Sequence, residues 1–425
     1  MRLRTFFRIS PAVWLTLPAL ILSILYMTKA TYPTNYGVAA TAGATSSMAF
    51  LVGFVAATAA WEAARLRRGG IWDAPHTRSR LEITITAVTL SILLGAVFLL
   101  GTVVAASVVY GQSGMPEIRI VAVGFVAICA WSLVGFLAGL RLPMSVSLPS
   151  MLLAPFLWFA FVPALPVAWL RQLSGMYRDC CRIGADISPA ALLAGLIMNV
   201  TIIVVALYAI GAVRMRWSPI VATAMLVVGV MISSAFAWNV GPIPEVARDR
   251  SALKCSTFSA VELCLWPEHD GPTSVFRPTL NAVIVELARE DLPIPSRWTE
   301  ELAVSSSADT LGLDLWKSDP DSIRWSIAQG LAPWPACSEA SDSGFSETSI
   351  DVLRGWWFTA MGGSEEMLQE NLGWLIAEPS AFGVPPIKEL YSAVGAASVV
   401  SRVAWLKRLT SLAAVCQSPD DYSVQ

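Results

Sequence analysis

Residues 83–110 establish the class of the protein, because they read ITITAVTLSILLGAVFLLGTVVAASVVY without one charged side chain. A helix of about 20 apolar residues crosses the roughly 30 Å hydrocarbon core of a bilayer, and this stretch is long enough to do so. The whole chain is 55% hydrophobic and 14% charged, whereas soluble domains carry roughly 25% charged residues. The sequence therefore predicts an integral membrane protein.

Similar apolar stretches recur along the first half of the chain and predict about seven transmembrane helices. They lie at residues 13–27, 46–61, 83–110, 118–140, 150–170, 189–213 and 219–238. The first two are short and are expected to extend by a few flanking residues. In the fifth, Pro155, Pro163 and Pro166 predict a kinked or broken helix. Residues 1–239 are thus predicted to form an all-α polytopic membrane domain, followed by a separate domain at 240–425.

Basic residues in the short loops predict the orientation, because cytoplasmic loops carry an excess of Lys and Arg. With a cytoplasmic N-terminus, the cytoplasmic segments hold 11 basic residues and the opposite loops hold five. An odd number of spans then places residues 240–425 on the far side. We therefore predict a multi-pass protein of the cell membrane with a cytoplasmic N-terminus and an extracytoplasmic C-terminal domain.

Charge is distributed unevenly between these two parts. From residue 245 onward there are 13 Lys and Arg against 25 Asp and Glu, and the rest of the chain has 16 against 6. An acidic domain does not suit nucleic acid, which needs a basic surface. The lipid bilayer is therefore an expected partner and nucleic acid is not.

Six of the seven cysteines fall on the predicted extracytoplasmic side, where an even number favours disulfides. The C-terminal domain contains Cys255, Cys264, Cys337 and Cys416. Of their three possible pairings we favour Cys255–Cys264 with Cys337–Cys416. A zinc site is the rival interpretation, but the sequence has no CxxC spacing and one nearby histidine, so no metal is predicted.

Cys180 and Cys181 are adjacent in a predicted extracytoplasmic loop. A bridge between neighbours would be strained. Free thiols or bridges to other cysteines therefore remain alternatives.

The predicted span cores contain no Asp, Glu, Lys, Arg or His. Proton-driven carriers commonly place such residues at membrane depth, so their absence counts against that class. Asn199 lies within the sixth stretch, where an interhelical hydrogen bond or a substrate contact would explain it. With no HExxH sequence, intramembrane metalloproteolysis is not expected either.

The turn after the second span carries the clearest functional signal. Residues 61–73 read WEAARLRRGGIWD, which predicts a helix that leaves the membrane, becomes basic and stops at Gly-Gly. A helix is expected to resume near Ser79. This element either docks a cytoplasmic partner or anchors to lipid headgroups. Its candidate residues are Glu62, Arg65, Arg67, Arg68 and Trp72.

The layout of residues 1–216 resembles the membrane subunits of type-2 ABC exporters, with a basic leader, six spans and a basic helical connection between spans two and three. Residues 61–68 are similar to the Trp-Glu-Ala-Arg-type stretch of actinobacterial ABC permease-like proteins. Residues 261–269, VELCLWPEH, are similar to a strand in the extracellular domain that some of these proteins carry.

The resemblance implies that residues 62–72 form a coupling helix for an ATPase. No GxxxxGK[ST] sequence occurs, so the ATPase would be a separate chain. The membrane subunit would form a homodimer or heterodimer and export an amphiphilic or lipid-like cargo. The seventh span and the large C-terminal domain depart from this family's pattern. They leave open an alternative, a membrane-anchored extracellular binding, sensor or assembly protein.

The C-terminal domain is predicted to be mainly helical or α+β. Residues 261–266 alternate like a strand, and helical spacing marks 280–289, 322–330, 350–361, 365–377 and 387–415. Glu268-His269-Asp270 is its one chemical cluster, which we interpret as a polar loop, with no catalytic residue or cofactor. Six tryptophans form either the core or an aromatic binding patch. They are Trp325, Trp334, Trp356, Trp357, Trp374 and Trp405.

Overall fold

A computed structural model describes most of the chain and divides it into two compact units. The described residues are 18–19, 21–23, 25, 36–72, 79–109, 115–178, 180–211, 218–258, 261–270, 275–289, 294–301, 309–313, 315, 319–332, 345–382, 384–414 and 422–423. The membrane unit comprises Met1–Cys181 and Ala185–Val246, and the C-terminal unit comprises Arg182–Gly184 and Ala247–Gln425. The division falls a few residues after the predicted boundary at 239.

The membrane unit is helical. Its helices are α1 (Gly37–Ala44), α2 (Met48–Arg68), α3 (Arg80–Val109), α4 (Ile118–Arg141), α5 (Met144–Phe161), the short α6 (Ala168–Gln172), α7 (Pro189–Gly211) and α8 (Ser218–Ala237). Two short strands, β1 (Ala185–Ile187) and β2 (Glu245–Ala247), pair with each other.

Six helical segments of the described residues are long and apolar enough to cross a membrane. They are Gly37–Arg68, Arg80–Val108, Ile118–Arg141, Met144–Ala164, Pro189–Gly211 and Pro219–Ala237. Six of the predicted spans therefore have the helical structure, the length and the apolar character of membrane helices. Of the predicted span at 13–27, only residues 18–19, 21–23 and 25 are described, and they are helical. The rest of that span lies outside the described residues.

Two spans differ from the prediction. The second begins at Gly37, because α1, the 3-10 turn Thr45–Ser47 and α2 form one segment of 32 residues. The fifth, predicted at 150–170, instead starts at Met144 and ends at the 3-10 turn Val162–Ala164. Proline lacks an amide hydrogen and clashes with the preceding helical turn, so Pro163 and Pro166 end the helix there.

Close backbone contacts fix α2 at the centre of the membrane unit. A Cβ at Gly135 or Gly139 of α4 would overlap the backbone of Ala56 or Ala60 of α2. On another side of α2, a Cβ at Gly53 would lie 2.7 Å from the carbonyl oxygen of Leu152 in α5. Such small-residue contacts are typical of helix packing in bilayers.

The C-terminal unit is α+β. It contains a four-stranded sheet in the order β3 (Lys254–Phe258), β4 (Val261–Leu265), β5 (Arg297–Thr299) and β6 (Thr310–Gly312). Strands β3 and β4 are antiparallel, whereas β4, β5 and β6 run parallel. Helix α9 (Phe276–Arg289) connects β4 to β5. The predicted strand at 261–266 and helix at 280–289 are confirmed.

Five further α-helices lie in the part of this unit that the structure describes. They are α10 (Pro320–Leu331), α11 (Phe345–Ala360), α12 (Glu365–Ala377), α13 (Ile387–Ala396) and α14 (Val399–Ala414). The single helix predicted at 387–415 is wrong, because Ala397 leaves the helical conformation and ends α13.

The tryptophans belong mainly to the core. Trp356, Trp357 and Trp405 are buried in the main apolar cluster of the C-terminal unit, and Trp325 packs against it. Trp374 is 44% exposed, and Trp334 lies outside the described residues. The core interpretation is therefore correct for the buried residues, and the five of these tryptophans that the structure describes do not form an exposed patch.

Candidate functional site

The basic end of α2 is an ordered, partly exposed element. Helix α2 runs to Arg68 and ends at Gly69 and Gly70, and Gly70 has a φ of 67°, which glycine adopts without a Cβ penalty. Trp72 then folds back and is 6% exposed. Its ring lies 5.9 Å from that of Phe136. The predicted helix end at Gly-Gly is confirmed, and a fixed turn follows it.

The candidate residues at this end have different environments. Glu62 is buried and pairs with Arg65 at 2.6 Å. Arg67 donates a hydrogen bond to the carbonyl oxygen of Leu140 at 3.1 Å, which ties α2 to the end of α4. Arg68 is exposed. Arg67 therefore has a packing role, whereas Arg65 and Arg68 present charge at the surface.

Other arginines gather at the same end of the membrane unit. Arg141 donates to the carbonyl oxygen of Ala209 at 3.2 Å, close to the end of α7. The Arg80 guanidinium lies 5.5 Å from the Trp72 ring. Arg141 and Arg67 thus meet the carboxyl ends of α7 and α4, where the helix dipole favours positive charge. The geometry brings together basic residues from α2, α3 and α4 that the sequence assigns to one side.

The opposite end of the membrane unit contains a buried loop that the sequence analysis missed. Residues 173–177 are non-helical and buried. The amide of Tyr177 donates to Thr45 Oγ1 at 3.0 Å, and its hydroxyl donates to the carbonyl oxygen of Ala191 at 3.1 Å. Gly195 lies in the second turn of α7. A Cβ on Gly195 would lie 2.9 Å from Gly175 Cα. We call residues 173–177 the buried loop.

Non-helical backbone within a membrane protein must find internal hydrogen-bond partners, and Thr45 provides one for the buried loop. Thr45 belongs to the 3-10 turn between α1 and α2. Asn199 nearby is 1% exposed and donates to the carbonyl oxygen of Gly195 in its own helix at 2.8 Å. Asn199 therefore makes a hydrogen bond within its own helix, where an interhelical hydrogen bond was expected.

The cysteines are only partly described. Cys255 and Cys264 are bonded across the β3–β4 pair, with Cα atoms 4.0 Å apart, as predicted. Cys337 and Cys416 lie outside the described residues. Cys180 and Cys181 are bonded to each other. Glu245 brings a carboxylate within 4.8 Å of both sulfurs, but bonded sulfurs offer no thiolate to a metal.

The Glu268-His269-Asp270 cluster lies in the turn after β4, as predicted, and its side chains form an ion-pair network. It follows β4, at the carboxyl edge of the parallel strands. His269 Nδ1 lies 2.6 Å from Glu300 Oε1, and both residues are buried. Glu268 pairs with Arg248 at 3.0 Å, and Asp270 pairs with Arg277.

His269 is held in a charged environment. The ring stacks on Phe276 with centroids 5.3 Å apart. Burial by itself lowers the pKa of His269, but the Glu300 carboxylate outweighs this, with a smaller contribution from Glu268, so the pKa is raised overall. Glu300 was not predicted from the sequence, because it follows β5 and lies 31 residues from His269.

Comparison with known protein families, with curated proteins and with solved structures finds no match. The function is therefore inferred from the sequence and the geometry of the chain.

Proposed function

We propose that this chain is the membrane subunit of an ABC-type exporter that works with a separate ATPase. The supporting observation is the basic, ordered end of the central helical segment Gly37–Arg68. In this proposal the arginine-rich end is cytoplasmic and the C-terminal unit is extracytoplasmic. Two such subunits, identical or related, would form the transport pathway.

The length of the central segment supports a coupling role. Its 32 residues span about 48 Å at 1.5 Å per residue, well beyond the roughly 30 Å hydrocarbon core. Part of the segment must therefore extend out of the hydrocarbon. Because Gly135, Gly139 and Gly53 mediate backbone contact with α4 and α5, a push on the end of α2 would move these helices together.

The surface of this end suits a protein partner with acidic and apolar groups. Arg68 is exposed, and Ile71 beside it is 49% exposed. Arg68 can pair with an acidic group of a partner while Ile71 on the turn contacts an apolar one. The Trp72–Phe136 contact holds that turn against α4.

Co-purification tests the partner. We expect a tagged chain, isolated from its native membrane, to carry a stoichiometric ATPase with a GxxxxGK[ST] sequence. Arg68→Glu should lower the recovered ATPase by about fivefold or more, because it places like charge against an acidic partner. Arg67 is unsuitable for this test, since its hydrogen bond to Leu140 stabilises the fold.

A matched control is Arg250→Glu, the same change at a side chain that is 70% exposed in the C-terminal unit. It should leave ATPase recovery unchanged. A photo-cross-linker at Ile71 should join the chain to the ATPase. Recovery of no ATPase, or an equal loss with both charge reversals, would contradict the proposal.

A lipid-like cargo fits membrane spans whose predicted cores hold no charged side chain. A groove of about 590 Å³ lies between α7 and α8, and Thr201 is the one hydroxyl in an otherwise apolar lining that includes Val200, Val204, Val228 and Ile232. An acyl chain makes no hydrogen bonds and loses nothing in such surroundings. Accumulation of an amphiphile inside cells that lack the chain would support export.

The second candidate is an extracytoplasmic binding or sensor protein held by its spans. The observation that favours it is the charged cluster of Glu268, His269 and Asp270 at the carboxyl edge of parallel strands, where α/β sheets commonly bind ligands. This function needs no ATPase. Purification without an ATPase, together with an unchanged phenotype for Arg68→Glu, would favour it.

A further inference from the structure

The bonded pair Cys180–Cys181 lies where the buried loop leaves the interior of the membrane unit. Both side chains are 4% exposed. The Cys180 amide donates to the carbonyl oxygen of Tyr177 at 2.9 Å, and its Sγ lies 3.8 Å from the carbonyl oxygen of Pro244. The pair is thus in direct contact with the loop and with the segment that follows α8.

A structural cross-link does not explain this bond. A disulfide stabilises a fold by closing a loop of chain, and the effect grows with the number of residues enclosed. Cys255–Cys264 has a sequence separation of nine and joins two strands. Cys180–Cys181 has a separation of one and encloses no segment. Its contribution as a cross-link is therefore the smaller of the two.

We propose that Cys180–Cys181 is a reversible thiol–disulfide site, reduced by small thiols on the predicted extracytoplasmic side, and that its bond keeps the buried loop in place. The bond closes a small ring that restricts the chain between two anchored points. One is the Tyr177 amide on Thr45, and the other is the Ser188 amide on the carbonyl oxygen of Pro244. Reduction would remove this restriction.

The chemistry is ordinary thiol–disulfide exchange. A thiolate attacks one sulfur, forms a mixed disulfide and releases the other cysteine as a thiolate, which takes up a proton. A second thiol then displaces the first cysteine and leaves as the small-molecule disulfide. Two thiols are oxidised, and Cys180 and Cys181 together gain two electrons and two protons.

The burial of the sulfurs couples this exchange to loop movement. An attacking thiol must reach a side chain that is 4% exposed, so the surrounding segment has to open first. The Tyr177 hydroxyl bond to Ala191 and the Gln172 bond to Gly241 at 3.0 Å oppose such opening. Weakening either bond should therefore speed reduction.

The test equilibrates the full chain in detergent with graded ratios of reduced to oxidised glutathione, then alkylates free thiols and identifies them by mass spectrometry. We expect Cys180 and Cys181 to become labelled at a ratio of reduced to oxidised glutathione about tenfold lower than the ratio that Cys255 and Cys264 require. Restoring oxidised glutathione should remove the label. Simultaneous reduction of both pairs, or labelling of Cys180 and Cys181 before any reductant is added, would overturn the proposal.

Variants separate the site from a structural role. Tyr177→Phe should speed reduction of Cys180–Cys181 about fivefold, because it removes one neutral hydrogen bond. Tyr208→Phe in α7 is the control and should leave the rate unchanged. An unchanged rate in Tyr177→Phe would refute the coupling to the loop. The double change of Cys180 and Cys181 to Ser should lower Tm by no more than about 2 °C, against about 5 °C for Cys255→Ser. Equal losses would assign the bond a structural role.

Discussion

The two units of this chain are packed with different kinds of side chain. In the membrane unit, α2 buries a series of alanines, among them Ala56, Ala60 and Ala64 at 0% exposure, and meets α4 through glycine. The C-terminal unit instead buries large rings, such as Trp298 and Phe358 at 0%. Around α2 the membrane unit brings backbones together, although it also buries rings such as Phe136 and Phe159. The main core of the C-terminal unit is built from large side chains.

The solvent explains this difference. Lipid tails are as apolar as leucine, so a membrane helix gains little by burying a large side chain and gains more from close contact. In water, each Å² of buried apolar surface contributes about 25 cal/mol, which favours tryptophan. Small residues therefore stabilise the contacts of α2, and large ones stabilise the core of the C-terminal unit.

The polar contacts follow the same division. Within the spans, hydroxyls bond between helices, as in Ser47 to Thr102 at 3.3 Å and Thr58 to Ser91 at 3.0 Å. The C-terminal unit pairs full charges, as in Arg248 and Glu268. Neutral donors cost less to hold in hydrocarbon than ions do.

Replacing a central tryptophan should cause the largest loss. Trp298 is 0% exposed and its indole donates to the carbonyl oxygen of Pro295 at 2.9 Å. We expect Trp298→Ala to lower the free energy of unfolding of the C-terminal unit by about 4 kcal/mol. Urea denaturation followed by circular dichroism measures this. Trp374→Ala, at a side chain that is 44% exposed, should cost under about 1 kcal/mol, and an equal cost would contradict the comparison.

Adding one methyl group to α4 should cause the next largest loss. Gly135→Ala places a Cβ on the backbone of Ala56, and the helices must separate to accommodate it. We expect a loss of about 3 kcal/mol, seen as a lower Tm in detergent. Gly101→Ala in α3 is the matched control, because nothing lies within 4 Å of the added Cβ. A stable Gly135→Ala variant would show that close backbone contact does not stabilise this unit.

Removing the β3–β4 cross-link should have a somewhat smaller effect. Cys255→Ser opens a bond between residues nine apart, which we expect to destabilise the C-terminal unit by about 2 to 3 kcal/mol. Cys129→Ser in α4, where the cysteine is free, should leave that unit unchanged. If both variants unfold at the wild-type denaturant concentration, the cross-link contributes nothing to the aqueous unit.

Neighbouring residues were sufficient to predict an element wherever its start, end or period is visible in the sequence of that element itself. The end of α2 at Gly69 and Gly70 follows from the break in helix chemistry, and the strand Val261–Leu265 follows from alternation. Apolar length alone located four of the six described spans to within a few residues, and it missed both ends of Gly37–Arg68, which was predicted at 46–61. For the remaining span, at 150–170, apolar length gave a helix and the prolines gave its interruption, but neither gave its ends.

What the sequence did not predict depends on partners that are distant along the chain. The buried loop is held by Thr45, 132 residues from Tyr177, and no local period reports such a contact. Glu300 lies 31 residues from His269 and comes after a strand of three residues, too short to show alternation. Residues 173–177 could have been identified from their sequence, LSGMY, which contains no charge although it lies in a predicted extracytoplasmic loop.

The last and smallest expected effect is the dependence of stability on pH. It tests whether charge pairs stabilise the C-terminal unit. The pKa of His269 in the folded protein is raised above its usual 6.5. The protonated ring is therefore favoured by folding, so its stabilisation is fully present below about pH 6.5 and is lost as the pH rises through the raised pKa. The groups that face the ring are Glu300, Glu268 and Phe276, with Arg248 paired to Glu268.

In a scan from about pH 6 to about pH 9, we expect the Tm of the C-terminal unit to fall as the pH rises above about 6.5. His269→Gln should flatten that fall, because a neutral amide keeps a hydrogen-bond donor but cannot titrate. Differential scanning fluorimetry across this range measures both slopes. Arg250→Gln, which removes an exposed charge that pairs with Glu301, controls for general changes in electrostatics. A slope that survives in His269→Gln would mean that other groups set the pH dependence, and that the buried His269–Glu300 pair stabilises the unit equally in both protonation states.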